Sequence, residues 1–136
     1  MRSKHLLLCA GVCLLFATIC QAQDPVKVDP KHYKVESENA QVRILRIHYG
    51  PHEKSVMHSH PNSVVVYLSD GTIKMTTPDG KSTDSTGKVG QALFTPAATH
   101  LPENTGDKPF DAVLIELKGG KAPAAAKPAA EKAPAK

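Results

Sequence analysis

The chain has 136 residues, which is enough for one modest domain. Its three cysteines all fall within the first 20 residues, so the remainder has neither a thiol for catalysis nor a disulfide framework. Of the +4 net charge, the Lys/Ala/Pro-rich C-terminal tail contributes +3 and the first 22 residues +2, leaving about −1 for residues 24–118. Nucleic-acid binding therefore has no electrostatic support.

Met1-Arg2-Ser3-Lys4 is a short basic start, Leu6 to Ile19 is an apolar run, and Cys20-Gln21-Ala22 places small residues at the −3 and −1 positions of a cleavage site. Residues 1–22 read as a signal peptide, which predicts an exported protein, periplasmic or secreted. The competing reading is an uncleaved anchor, but the run is shorter than the roughly 20 apolar residues of a spanning helix.

Residues 23–39 read as an extended N-terminal segment and a first strand. Asp24-Pro25 and Asp29-Pro30 suggest an extended entry, and His32 to Ser37 the strand. Residues 40–118 then carry short runs rich in Val, Ile, Thr and Tyr, with turn residues between them. "QVRILRIH", 41–48, alternates for much of its length, and the reading places Arg43 and Arg46 on one solvent-facing strand face, or an arginine inward to anchor a carboxylate. Val64 to Ser69 is a strand that Asp70-Gly71 closes as a hairpin, with Thr72 to Thr76 pairing back on it. Pro78-Asp79-Gly80 turns again, Lys88 to Phe94 is a further strand, and "FDAVLIEL", 110–117, is a last buried one. With no sustained helical period outside the leader, the pattern predicts an all-β fold, a small antiparallel sandwich or barrel. Residues 119–136, "GGKAPAAAKPAAEKAPAK", hold no large apolar side chain and read as a disordered, basic tail.

Beyond the leader there are six histidines: 32, 48, 52, 58, 60 and 100. In a strand, His58 and His60 share a face, because side chains repeat every second residue. Two imidazoles so placed can reach one ion about 2 Å from each. Further on, Gly90 and Pro96 lead to His100, with Asn104 four residues later, which reads as a second ligand-bearing hairpin facing the first across a barrel.

These residues resemble the cupin family, small jelly-roll β-barrels. The family's first motif, G-x₅-H-x-H-x₃,₄-E-x₆-G, is matched by His58, His60 and Gly71, with Val64 where the glutamate stands. Its second, G-x₅-P-x-G-x₂-H-x₃-N, is matched by Gly90, Pro96, His100 and Asn104, with Ala98 for the middle glycine and His100 one residue early. The resemblance covers roughly residues 40–118. It implies one divalent transition metal (Fe, Mn, Zn, Ni or Cu) on His58, His60 and His100, and a small-molecule ligand or substrate.

The missing glutamate leaves three readings open. Three neutral imidazoles hold the ion by themselves; or His52, Glu53, Asn62 or Asn104 adds a fourth ligand; or the barrel is metal-free and binds an apolar molecule. Three function classes follow: an enzyme acting on a small anionic or enolisable molecule, a binding or sensing module, or a barrel that serves to form a homodimer. His48 and His52 are the candidate acid/base groups for an enzyme. Tyr67 and Phe94 are expected to fill the barrel.

Overall fold

In the computed structural model, which describes residues 23–119, the chain enters through Asp24, whose side chain accepts a hydrogen bond from Val26 N at 3.0 Å. This N-cap, with Pro25 in the first helical position, starts a one-turn helix, α1 (Pro25–Val28). The Asp-Pro entry is thus helical rather than extended. Asp29, bound by the restriction on a residue before proline, ends the helix after four residues. The expected leader (1–22) and all but the first residue of the expected tail (119–136) lie outside the described residues. Among the described residues no helix is long and apolar enough to cross a membrane.

Among the described residues nine strands follow: β1 (Tyr33–Glu38), β2 (Val42–Tyr49), β3 (His58–His60), β4 (Ser63–Tyr67), β5 (Gly71–Thr76), β6 (Ser82–Gly87), β7 (Ala92–Thr95), β8 (Ala98–Asn104) and β9 (Phe110–Leu117). They form two antiparallel sheets, ordered β1-β2-β9-β4-β7 and β3-β8-β5-β6. The all-β, jelly-roll expectation holds.

One expected pairing does not. Asp70-Gly71 does not close a hairpin; the chain crosses there from one sheet to the other, and β5 pairs with β6 and β8. Asp70 instead accepts from Val89 N (2.8 Å) and Lys88 Nζ (3.1 Å), bracing the next turn. That turn occupies Lys88–Gln91, with Gly90 at φ +80°, so the strand expected from Lys88 starts at Ala92. Strand β6 was not expected: "STDSTG" has no large apolar residue, because it is a largely exposed edge strand.

The core lies between the sheets. Leu45, Ile47 and Tyr49 of β2 are cross-strand partners of Leu114, Ala112 and Phe110 of β9, all buried. Val65 of β4 pairs with Leu114 on the same inner face. Each buried large side chain contributes about 1.5–3 kcal/mol. The outer face of the same strands carries Ile44, Ile115 and Val64, with Ile115 paired to each of the other two and all three only partly covered. Period-two alternation also separates the two arginines. Arg43, two residues from Leu45, faces inward opposite Glu116, whereas Arg46 faces outward to Glu36.

Candidate metal centre

Strand β3 is three residues long and pairs with β8 so that His58 stands opposite His100 and His60 opposite Ala98. The two histidine-bearing strands are therefore hydrogen-bonded neighbours in one sheet, not hairpins facing across the barrel. Alternation turns Ser59 to the other side, where its hydroxyl meets Thr99 Oγ1 at 2.7 Å. All three histidines converge on the interior. Their ring centroids are 4.8 Å (His58–His60), 5.2 Å (His58–His100) and 5.4 Å (His60–His100) apart. One ring nitrogen from each lies within 4.8 Å of the others.

Two of the rings have their tautomers fixed from behind. His58 Nδ1 donates to the Val56 carbonyl at 2.8 Å, and His60 Nδ1 donates to Glu116 Oε1 at 2.7 Å. A carbonyl and a carboxylate can only accept, so each ring keeps its proton on Nδ1 and offers a lone pair at Nε2. His58 is 0% exposed, and its Nε2 is the one buried side-chain polar atom, among the described residues, with no partner. Orphaned buried nitrogens are costly, and one aimed at two further imidazoles fits a metal ion. Burial, with the neighbouring His60, pushes the His58 pKa down to about 4. Burial, with His60 and His58, pushes that of His100 down to about 3. Both rings are neutral at pH 7, the form that ligates.

The donor set fits a divalent transition metal. Neutral imidazoles suit zinc, copper, iron and nickel, and one nitrogen from each of the three rings lies close enough to the others for one ion to be shared among them.

A cavity of about 380 Å³ opens beside the histidines, with His60 and His100 in its wall. The rest of its lining is mainly apolar, including Ile47, Val65, Ile73, Met75 and Leu114. Tyr67 and Phe110 meet edge to face at 5.7 Å in the same wall. Their rings sit against two facing glycines. A Cβ on Gly87 would lie 1.8 Å from the Tyr67 ring, and one on Gly71 would lie 2.8 Å from that of Phe110. Tyr67 thus fills the barrel as expected, while Phe94 is 47% exposed at the cavity's edge.

The proposed fourth ligands are committed elsewhere. His52 is exposed and bonded to Asp107 at 2.8 Å, and Glu53 holds His32 Nε2, Lys31 and Gly50 N. Asn62 Oδ1 accepts from Ala97 N at 2.8 Å. Asn104 locks a turn, donating to the Gly50 and Lys108 carbonyls and accepting from Gly106 N. His48, the other acid/base candidate, is on the surface beside Asp111. The inward valine of β4 is Val65, which lines the cavity; Val64 belongs to the opposite face.

The carboxylate at the centre is Glu116, which the sequence reading missed. Its signal was present: in "FDAVLIEL", Glu116 shares parity with Phe110, Ala112 and Leu114, an acid on the buried face of a strand. Burial raises its carboxyl pKa, but the hydrogen bonds from His60 and Arg43 outweigh this and hold it below the ordinary value. A second polar layer lies behind His58, where Asp29 accepts from His32 Nδ1 (2.7 Å) and from the Ser55 hydroxyl.

Residues 45–116 match the family model of the cupin domain. The chain belongs to the cupin family. Among solved structures, it is 28% identical to a cupin domain from Bordetella pertussis Tohama I, covering 64% of this chain and 92% of that one at a TM-score of 0.60. It is 22% identical to a conserved protein with a double-stranded β-helix domain from Klebsiella pneumoniae, covering 65% and 79% at a TM-score of 0.53, a likeness of fold alone. No match was found among curated proteins. In this cupin neither Val64 nor Val65 can coordinate, and His58, His60 and His100 are the side chains the fold brings together that could hold a metal ion.

Proposed function

We propose that this cupin is exported, binds one divalent ion (iron, manganese, zinc, nickel or copper) through His58, His60 and His100, and presents it to a small molecule in the adjoining cavity. The observation that carries the reading is the fully buried, unpartnered Nε2 of His58, directed toward two imidazoles that line an apolar cavity. When bound, the ion supplies Lewis-acid or oxygen-activating chemistry at positions the protein leaves free. The chain's own part is to hold the rings in their ligating tautomers and to keep water from the reacting end.

The cavity also limits its occupant. Among the described residues, no lysine, arginine, aspartate or glutamate lines it. An anionic or enolic oxygen would therefore find its partner at the ion, and the remainder of the molecule would be apolar. That is the substrate class of a dioxygenase- or isomerase-like cupin.

A second reading, a non-catalytic binding or sensing barrel, is favoured by a different observation. Both histidines considered as acid/base groups lie on the surface, His48 with Asp111 and His52 with Asp107. A homodimer belongs to either reading, with the apolar outer face of β2, β9 and β4 covered by a second copy. Sedimentation of the purified protein tests this.

Metal analysis of protein prepared without a histidine tag tests the main reading. We expect up to one ion per chain, with His60→Ala and His100→Ala each losing most of it while keeping the β-sheet circular dichroism. Full metal content in either variant would show the ligand set to be wrong. Intact mass of exported material should place the N-terminus near Gln23 or Asp24; an N-terminus still at Met1 would remove the export reading.

A further inference from the structure

Three neutral imidazoles bring no charge to a divalent ion, and the inward valine of β4 brings none. Yet a carboxylate that bonds a candidate ligand directly is buried at the edge of the centre. Glu116 is 2% exposed, and its two oxygens have different partners. Oε1 accepts from His60 Nδ1 at 2.7 Å, and Oε2 accepts from Arg43 Nε at 2.6 Å. The rest of the Arg43 fork is turned away, because Nη1 donates to Asp24 Oδ2 at 2.8 Å.

Left to themselves, a guanidinium and a carboxylate favour two parallel bonds, which would occupy both oxygens of Glu116. Asp24 draws one arm of the fork aside and so leaves Oε1 to His60. Asp24 is itself fixed as the N-cap of α1. The residue before it, Gln23, accepts through its carbonyl from Ser59 N at 2.9 Å, between the two ligands of β3. The N-terminal segment is therefore tied to the ligand strand directly at Ser59 and, through Arg43 and Glu116, to His60.

We propose that Glu116 is a positioning residue that supplies, from behind His60, the negative charge this barrel lacks in contact with the ion, and that Asp24 and Arg43 hold it in that role. The proposal rests on the metal-centre reading. A carboxylate on Nδ1–H fixes the imidazole plane and raises the basicity of Nε2 toward a metal. Because the charge lies one ring away, it strengthens the ligand without occupying a coordination position. A purely structural Arg43–Glu116 pair would neutralise the buried charge equally well but would not single out His60.

The test uses Co²⁺ and Zn²⁺ affinities of the full-length mature protein, measured by competition with a chromophoric chelator. They are read beside the melting temperature of the metal-free form and the ¹⁵N resonances of the His60 ring. Glu116→Gln should weaken metal binding about 10–100-fold, in the range of lost outer partners of ligating histidines, and mix the His60 tautomers. Because that variant leaves Arg43 buried without its partner, Arg43→Met/Glu116→Gln serves as a second variant that removes both charges; it should fold and show the same loss. Asp24→Asn keeps a good N-cap residue and should give a smaller loss in the same direction.

Wild-type-like affinity in both Glu116 variants would overturn the proposal while leaving the metal centre intact. An unchanged affinity in Asp24→Asn alone would overturn the role of the N-terminal segment. If wild type takes up neither ion, the metal-centre reading fails first and this proposal fails with it.

Discussion

His58 and His100 stand directly opposite one another on neighbouring antiparallel strands, with ring centroids 5.2 Å apart. The sheet, not a loop, sets their separation. A pair placed by backbone register is largely organised before any ion arrives. Removing metal with a chelator should therefore leave the far-ultraviolet circular dichroism of the barrel unchanged, and adding the ion back should raise the melting temperature as ligand linkage requires. Loss of β structure on chelation would mean that the ion, rather than the core, holds the sandwich together.

The inward valine gives a paired prediction. Val65→Glu places a carboxylate in the cavity wall shared with His60 and His100. It should tighten metal binding, weaken binding of added anions to the loaded protein, and, without metal, lower stability by a few kcal/mol as an unpaired buried carboxylate. Val64→Glu lies on the other face of β4 and should leave metal affinity within about twofold, well under the roughly 1.4 kcal/mol that a tenfold change represents. A larger effect from position 64 than from position 65 would reverse the inward and outward faces of β4.

Acid should destabilise the metal-free protein in a defined window. His58 and His100 have folded pKa values of about 4 and about 3 against an ordinary 6.5, so the unfolded chain binds more protons between these limits. Above pH 6.5 the rings cost nothing; as pH falls below it, each removes on the order of 1.4 kcal/mol per pH unit until its folded pKa is reached. Glu116, lowered from its ordinary 4.5, acts in the same direction, losing its stabilising contribution below that value. Melting curves from pH 7 to pH 4 should fall steadily for wild type and less steeply for His58→Gln. Parallel slopes would show that His58 does not titrate in this window.

The Tyr67 ring occupies the space that a side chain at Gly87 would need. A methyl there would lie 1.8 Å from the ring, so Gly87→Ala must displace it. The expected cost is about 1–3 kcal/mol of overpacking, or a melting temperature lower by about 4–8 °C per kcal/mol. Tyr67→Leu/Gly87→Ala should recover part of that loss. No recovery would place the strain in the β6 backbone instead of in the cavity wall.

What the sequence made legible followed from periodicity and motif spacing. The H-x-H pair, His100, and strands β2 and β9 all lie in segments where apolar alternation or motif spacing is strong. Strand β6 was hidden because an exposed edge strand has no apolar side to read. The assignment of β4 and β5 to different sheets was hidden because Asp70-Gly71 is equally compatible with a hairpin and with a crossover braced by Lys88 and Val89. The choice between Val64 and Val65 turns on one residue of register, and a spacing of three or four residues admits both. Parity would have separated Arg43 from Arg46, which are three residues apart and so on opposite faces. It would also have marked Glu116 as an acid on a buried face. The link among Asp24, Arg43 and Glu116 joins residues far apart in the chain, and only the fold brings them together.

The three-histidine centre is tested most directly by anomalous diffraction from crystals of the untagged protein loaded with Co²⁺ or Zn²⁺. We expect one peak per chain, about 2 Å from Nε2 of His58, Nε2 of His60 and one ring nitrogen of His100. A fully loaded crystal with no peak among these three rings, or with its peak at the surface histidines His48 or His52, would contradict that assignment.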